Sequence, residues 1–269
     1  MLEALEFEFM RNALLAGLFV SLTCGVIGTY VVVNRIVFVS GGIAHAAYGG
    51  IGFAFFFGLP YMVGTLGFSL LVSMIMAAVT LKARHRADTV IGVLWAIGMA
   101  TGVILLDLTP GYNVDLMSYL FGSILTVPTS DLWLMLVLNI VILLLVGYFY
   151  HDLLAMSYDE AFAQVKGVPV RFLYFLLLGM IALSVVMIIR VVGLILVIAL
   201  LTIPPYIAET YSKSLFKMML ISTALSASFT LVGLWLSYTF DLTSGATIIL
   251  VGGAVFFISV LLKPRISGM

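Results

Sequence analysis

Nine apolar runs of membrane-spanning length divide this sequence, and little polar chain lies between them. They cover residues 10–33, 39–58, 61–81, 89–106, 131–150, 170–189, 191–209, 215–239 and 244–262. A bilayer core about 30 Å thick needs about 20 apolar residues in a helix. Only 9% of the residues are charged, whereas a soluble domain carries about 25%. We therefore predict an all-α polytopic membrane protein with about nine transmembrane helices, which form one domain over residues 1–269.

One further apolar segment, residues 115–127, is too short to cross a bilayer upright. Pro110 and Gly111 precede it and Pro128 follows it. Non-helical backbone is tolerated at membrane depth only where other parts of the protein cover it. We therefore predict a re-entrant or partial helix at 115–127.

The basic residues lie almost entirely on one side of the predicted membrane. If the N-terminus is outside, ten of the twelve fall in loops on the opposite side, and only Arg11 and Arg190 do not. The ten are Arg35, Lys82, Arg84, Arg86, Lys166, Arg171, Lys213, Lys217, Lys263 and Arg265. Cytoplasmic loops of membrane proteins are enriched in lysine and arginine. We predict a multi-pass protein of the cell membrane, with the N-terminus outside and the C-terminus in the cytoplasm.

The cytoplasmic loop at 157–168 carries the signals of a short helix. Ser157 and Glu160 have the S-x-x-E spacing of a capping box. Gly167 suits the left-handed position that ends a helix. We predict a helix over 158–166.

That helix has an apolar stripe at helical spacing. Its members are Tyr158, Ala161, Phe162 and Val165. The stripe either packs back on the protein's own helix ends or docks on another protein, and periodicity alone does not separate the two.

His45 is a titratable base in the apolar run 39–52, which has no other group that titrates near neutral pH. In a helix it shares one face with four residues, namely Gly41, Tyr48, Gly49 and Gly52. One interpretation is a stripe of small residues that lets helices approach, with the histidine hydrogen-bonded to a neighbouring helix. The other is a neutral imidazole that offers its lone pair to a divalent metal moving between helices.

Several functions lack their usual sequence patterns. The chain has no G-x-x-x-x-G-K-[ST] loop for ATP, and neither H-E-x-x-H nor G-x-S-x-G for an intramembrane protease. Either a partner subunit or an ion gradient supplies energy for transport, or the protein does not transport at all. The net charge of zero gives no reason to expect nucleic acid as a partner. Asp241 is a further pathway candidate, as a charge at the pore mouth or as a cap of the last helix.

Six stretches occur in an order that resembles the membrane permeases of ABC importers for zinc, manganese and iron. They are the run from Arg35 to Ala46, DTVIG at 88–92, LFGSIL at 120–125, YDEAFAQVKGV at 158–168, VGLILVIALLTIP at 192–204 and DLTSGA at 241–246. The resemblance implies the fold of the vitamin B12 importer's permease, a type II ABC importer permease fold. It also implies a homodimer, a cytoplasmic ATPase dimer and an extracytoplasmic metal-binding protein.

By this resemblance, residues 158–168 form the coupling segment on the ATPase, and the chain itself is not an enzyme. The cargo would be a divalent transition metal, with no permanently bound cofactor and with ATP on the partner. Many such permeases have an aspartate four residues before the histidine, where this chain has Gly41. The alternatives are a permease of the same fold for a metal chelate, and an ion-coupled carrier.

Overall fold

The computed structural model describes residues 6–82, 86–110 and 120–262, and this part of the chain folds into α-helices without β-strands. The helices are α1 (Glu8–Val33), α2 (Val37–Phe56), α3 (Tyr61–Lys82), α4 (Ala87–Asp107), α5 (Thr129–Tyr148), α6 (Tyr150–Tyr158), α7 (Glu160–Val165), α8 (Val170–Val192), α9 (Val197–Tyr211), α10 (Leu215–Phe240) and α11 (Ser244–Leu262). Within the described ranges, 8 helices are long and apolar enough to cross a membrane. The predicted all-α membrane fold is confirmed.

The seventh predicted span, 191–209, is shorter than expected. Helix α8 continues to Val192, and Gly193 then takes a left-handed φ of 81°. The next helix, α9, has only 15 residues and contains Pro204 and Pro205. Hydropathy alone misplaced the boundary, because the apolar run continues through the turn without a polar residue.

Helices α1, α2 and α8 form the centre of the bundle, and their spans are the most buried of the chain. Helix α2 packs mainly on α3 and α4, whereas α1 packs mainly on α9 and α10. Helices α4 and α11 are the least buried spans. The site is therefore carried by a central helix that other helices surround.

An ion pair marks one end of the bundle. The Nη2 and Nε atoms of Arg190 lie 2.6 and 2.8 Å from Oδ2 of Asp131. Arg190 is in the last turn of α8 and Asp131 is in the first turn of α5. A cation near a helix C-terminus and an anion near an N-terminus both interact favourably with the helix dipoles. At the same end, Asn12 of α1 donates a hydrogen bond to Thr129.

Arg35 and Lys213 lie at the opposite end, where they line one cleft with Ser157. The Nδ2 atom of Asn34 donates a hydrogen bond to Oγ of Ser157 at 2.9 Å. The structure thus separates Arg190 from Arg35 and Lys213, as the predicted charge partition requires.

The predicted partial helix is described only from residue 120 onward, and 115–119 lie outside the described residues. The described part contains a 3₁₀ helix, Ile124–Thr126, and no crossing helix. Gly122 and Gly193 both have left-handed φ, at 67° and 81°, and their backbones touch without room for a Cβ atom. The Ile195 amide donates to the Leu120 carbonyl at 3.2 Å. This segment is therefore fastened to the turn between α8 and α9.

Candidate metal pathway and partner-docking helix

His45 lies in the middle of α2, the most buried span, and its side chain is only 9% exposed. Its Nδ1 atom is buried and has no hydrogen-bond partner among the described residues. The interhelical hydrogen bond of the packing interpretation is thus not formed at Nδ1. A buried polar atom without a partner is rare and needs a reason. This nitrogen is available to a ligand.

The Trp95 indole of α4 holds the His45 ring in place. The two rings stack with centroids 4.0 Å apart and an interplanar angle of 7°. The indole Nε1 donates to Sδ of Met99 at 3.1 Å, one turn along α4. Stacked contact limits the rotation of the imidazole and leaves its edge, where the nitrogens lie, free of the indole. Sequence reasoning missed Trp95, because no periodic pattern links α4 to His45.

The glycines that follow His45 on α2 form a close contact with α4. A Cβ at Gly49 would lie 2.8 Å from the carbonyl oxygen of Gly98, and one at Gly52 would lie 2.7 Å from Cα of Gly102. Tyr48, which is 3% exposed, packs on Gly102 in the same contact. Small residues allow membrane helices to approach this closely. The pathway candidates Gly49 and Tyr48 therefore lie in a packed helix contact.

Gly41 lies one turn before His45 and faces α9. A Cβ there would lie 2.6 Å from Cδ1 and 3.1 Å from Cγ1 of Ile198. These atoms belong to a flexible side chain rather than to backbone. Position 41 is thus the part of the predicted stripe where a larger side chain is accommodated by movement of its neighbour.

The described residues contain no group of three or more His, Cys, Asp or Glu side chains that could hold a metal ion. Asp241 is not brought to His45: it is exposed and ends α10 in a left-handed conformation with φ 53° and ψ 46°. It is therefore the C-cap residue that follows α10, and no hydrogen bond from its side chain caps α11 in the described part. The structure therefore does not bring the two predicted candidates His45 and Asp241 together.

Helix α7 is capped by Asp159, whose Oδ1 accepts a hydrogen bond from the Phe162 amide at 2.9 Å. The predicted capping box is wrong, because α6 extends through Tyr158 and places Ser157 inside a helix. The side chain of Glu160 instead accepts a hydrogen bond from Gln164 at 3.2 Å. Sequence reasoning missed α6, and with it the extended residue Asp159 that separates the two helices.

The C-terminal end of α7 is as predicted. Gly167 has a φ of 80°. Its amide donates to the Gln164 carbonyl, and the Val168 amide donates to the Ala163 carbonyl, both at 3.0 Å. These two bonds form a Schellman motif.

The predicted single helix over 158–166 is wrong, because extended Asp159 separates Tyr158, the last residue of α6, from α7. The four residues of the predicted apolar stripe are nevertheless exposed. Tyr158 is 66% exposed, Phe162 53% and Val165 88%, and Ala161 is exposed as well. Ala163, on the other side of the helix, is fully buried. The helix is therefore held by Ala163, and in the described structure its stripe is not covered by the protein's own helix ends.

The model of the ABC 3 transport family matches residues 6–263. The chain belongs to this family. Its sequence carries no ATP-binding loop, and it is the membrane permease subunit of an ABC transporter rather than an ATPase. The family resemblance proposed from the six sequence stretches is confirmed.

Several family members are similar over nearly the whole chain. Membrane protein slr2045 of Synechocystis sp. is 51% identical over 259 residues, which are 96% of this chain and 92% of that protein. The manganese import system permease protein ScaB of Streptococcus gordonii is 32% identical, over 97% and 93% of the two chains. The manganese transport system membrane protein MntC of Listeria monocytogenes is 31% identical, over 97% and 93%.

A solved structure has the same fold. It is PsaBC from Streptococcus pneumoniae in complex with Fab, with a TM-score of 0.89, 31% sequence identity, and coverage of 98% of this chain and 95% of that one. The arrangement of long helices around α2 is thus the family's permease fold.

Proposed function

We propose that this permease carries divalent manganese into the cell, with energy from ATP hydrolysis on a separate cytoplasmic subunit. The observation that carries the proposal is the buried imidazole of His45, whose Nδ1 has no partner in the described structure. Its position in the middle of a central helix is where a transport path crosses the membrane. The choice of manganese rests on the names of ScaB and MntC. Zinc and iron, which imidazole also binds, are the competing cargoes.

A single nitrogen ligand binds a metal ion weakly, which suits transport better than permanent binding. A path must bind its ion strongly enough to admit it and weakly enough to release it. Water completes the coordination, and in a homodimer the second copy contributes its own His45. The resemblance implies an aspartate at position 41 in many such permeases, whereas Gly41 supplies no ligand here, so the metal keeps more of its hydration shell.

The exposed stripe of α7 is the proposed contact with the ATPase. Its apolar residues Tyr158, Ala161, Phe162 and Val165 would fill a groove on that subunit. The Asp159 cap and the Gly167 turn hold both ends of the helix, and buried Ala163 fastens it to the permease. A short helix that is fixed at both ends can pass a conformational change of the ATPase on to the permease.

The orientation follows the positive-inside rule. The end with Arg35, Lys213 and α7 is cytoplasmic, and the N-terminus and the Arg190–Asp131 pair are outside. An extracytoplasmic metal-binding protein would deliver the ion at that outer end, where Asp241 is exposed.

Uptake by purified complex in proteoliposomes tests the function. Permease, ATPase and binding protein are reconstituted, and ATP-driven accumulation of Mn²⁺, Zn²⁺ and Fe²⁺ is compared. His45→Ala should lower Mn²⁺ uptake about tenfold or more, since loss of even an outer partner of a metal ligand costs about 10–100-fold in affinity. His151→Ala, which removes an exposed imidazole, is the matched control.

His45→Ala should still fold and keep basal ATP hydrolysis close to wild type, with a lower melting temperature because the buried ring that stacks on Trp95 is lost. Normal Mn²⁺ uptake by this variant, or loss of uptake only through unfolding, would overturn the ligand role. Preference for Zn²⁺ or Fe²⁺ would overturn the choice of metal.

A further inference from the structure

A groove of about 820 Å³ opens between α2, α9 and α11. It lies at the same end as α7, because Arg35 and Glu209 line both this groove and the cleft that contains Ser157. Val37 of α2 and Gly253 of α11 form two of its walls. The groove therefore begins on the helix that carries His45 and ends beside the proposed ATPase contact.

One face of α9 runs from the level of Gly41 to the mouth of the groove. Its residues, Ile198, Thr202, Tyr206 and Glu209, follow at intervals of four, four and three, so they share one side of the helix. Ile198 fills the space over Gly41. Thr202, Tyr206 and Glu209 line the groove itself.

The carboxylate of Glu209 is available to a metal ion in the described structure. Glu209 forms no ion pair or hydrogen bond with another described residue, and it is exposed to the groove. Carboxylate oxygen is a ligand type that suits manganese. The hydroxyl groups of Thr202 and Tyr206 add oxygen atoms along the same wall.

We propose that this groove is the release path for the metal, that Ile198 closes it from His45, and that Glu209 is the oxygen ligand that receives the ion. The proposal rests on the proposed function. Movement of the Ile198 side chain would open the gap between Gly41 and Thr202 and let the ion pass from nitrogen to oxygen ligands. The positive charge of Arg35, which lines the same groove, repels the metal ion and so lowers its affinity for Glu209, as release requires.

Manganese binding in the groove can be measured without transport. Cys24 is the sole native cysteine and it is buried, and a Cβ at Gly253 would meet nothing within 4 Å. A fluorophore on Gly253→Cys therefore reports from the groove wall. Paramagnetic Mn²⁺, added alone to the labelled permease–ATPase complex in nanodiscs, should quench it saturably.

Glu209→Gln should raise the Mn²⁺ concentration for half-quenching about tenfold, the lower bound for loss of a metal-site partner. Asp152→Asn neutralises another carboxylate at this end, in the first turn of α6, and should leave it unchanged. Equal half-quenching in Glu209→Gln and wild type would overturn the ligand role of Glu209.

Leakage tests the closure by Ile198. Proteoliposomes loaded with Mn²⁺ should lose it without ATP when the complex carries Ile198→Ala. Ile195→Ala, in the turn before α9 and outside the lining of the groove, should not leak. No leak from Ile198→Ala would overturn the closure. If His45→Ala stops uptake but Glu209→Gln binds and transports normally, the release path fails and the proposed function stands. If His45→Ala transports normally, the proposed function itself fails.

Discussion

Gly122 and Gly193 meet backbone to backbone, because each amide nitrogen lies where the other residue would carry a Cβ atom. Gly245 of α11 joins them, since a Cβ there would lie 2.6 Å from the Phe121 carbonyl oxygen. Three of the six stretches that resemble the family's permeases therefore converge at one junction. It links the segment at 120–127, the turn between α8 and α9, and the start of α11.

Gly122→Ala should destabilise the permease more than Gly58→Ala. The two glycines have nearly the same backbone, with φ of 67° and 66°, so alanine pays a left-handed cost of about 1–2 kcal/mol at both. Only Gly122 has backbone in the way, whereas Gly58 has nothing within 4 Å. The clash adds about 1–3 kcal/mol. Thermal unfolding in detergent measures the difference, and equal melting temperatures would show that the junction is not formed.

Phe162→Asp should abolish stimulation of ATP hydrolysis by the permease and leave the permease folded. The side chain is 53% exposed, so a carboxylate there is solvated in the free permease but is forced into an apolar groove in the complex. Ala163→Asp is the contrasting variant, because it buries a charge under α7 and should lower the yield of folded protein. ATPase assays and size-exclusion profiles separate the two effects. Normal stimulation by Phe162→Asp would exclude the stripe as the contact.

Gly41→Asp should tighten Mn²⁺ binding only when His45 is present. The new side chain meets the end of Ile198, which can move, whereas Gly49→Asp meets the Gly98 backbone and should not fold. An aspartate at a lipid-facing helix centre costs about 2.5–3.5 kcal/mol, so a folded Gly41→Asp variant would also show that this position is inside the bundle. Binding measured for Gly41→Asp, His45→Ala and the double variant gives the coupling. Additive effects would argue against a shared site.

Cysteine labelling checks the orientation. Val165 is 88% exposed on α7 and Leu108 is 59% exposed after α4, and the buried native Cys24 does not compete. A membrane-impermeant thiol reagent should reach Leu108→Cys from outside intact cells and Val165→Cys only after the membrane is opened. The reverse pattern would invert the topology, and labelling of both from one side would contradict the bundle.

Hydropathy predicted eight of the nine spans to within a few residues because a bilayer sets helix length directly. It failed at α9, where a glycine conformation rather than polarity ends the preceding helix. Local signals behaved similarly: Gly167 was read correctly from its residue type, but the cap fell on Asp159 because the length of α6 is decided by packing.

The partners of His45 could not be predicted from sequence in the same way. Trp95 and Ile198 are 50 and 153 positions away in the chain; packing of α2 on α4 stacks Trp95 on the imidazole, and packing of α2 on α9 places Ile198 over Gly41, one turn before it. A stripe of glycines beside a histidine is common to helix packing and to a metal path. The structure distinguishes positions along one helix: Gly49 and Gly52 meet the backbone of α4, whereas Gly41 meets only the side chain of Ile198.

The contact of α2 with α4 through glycines has a mechanical consequence. Where two helices meet through interleaved side chains, rotamer changes let one slide past the other, but at Gly49–Gly98 and Gly52–Gly102 the two backbones touch directly. We therefore expect α2 and α4 to move as one rigid unit. A conformational change that reorients His45 on α2 would then also move the stacked Trp95 and the exposed outer surface of α4.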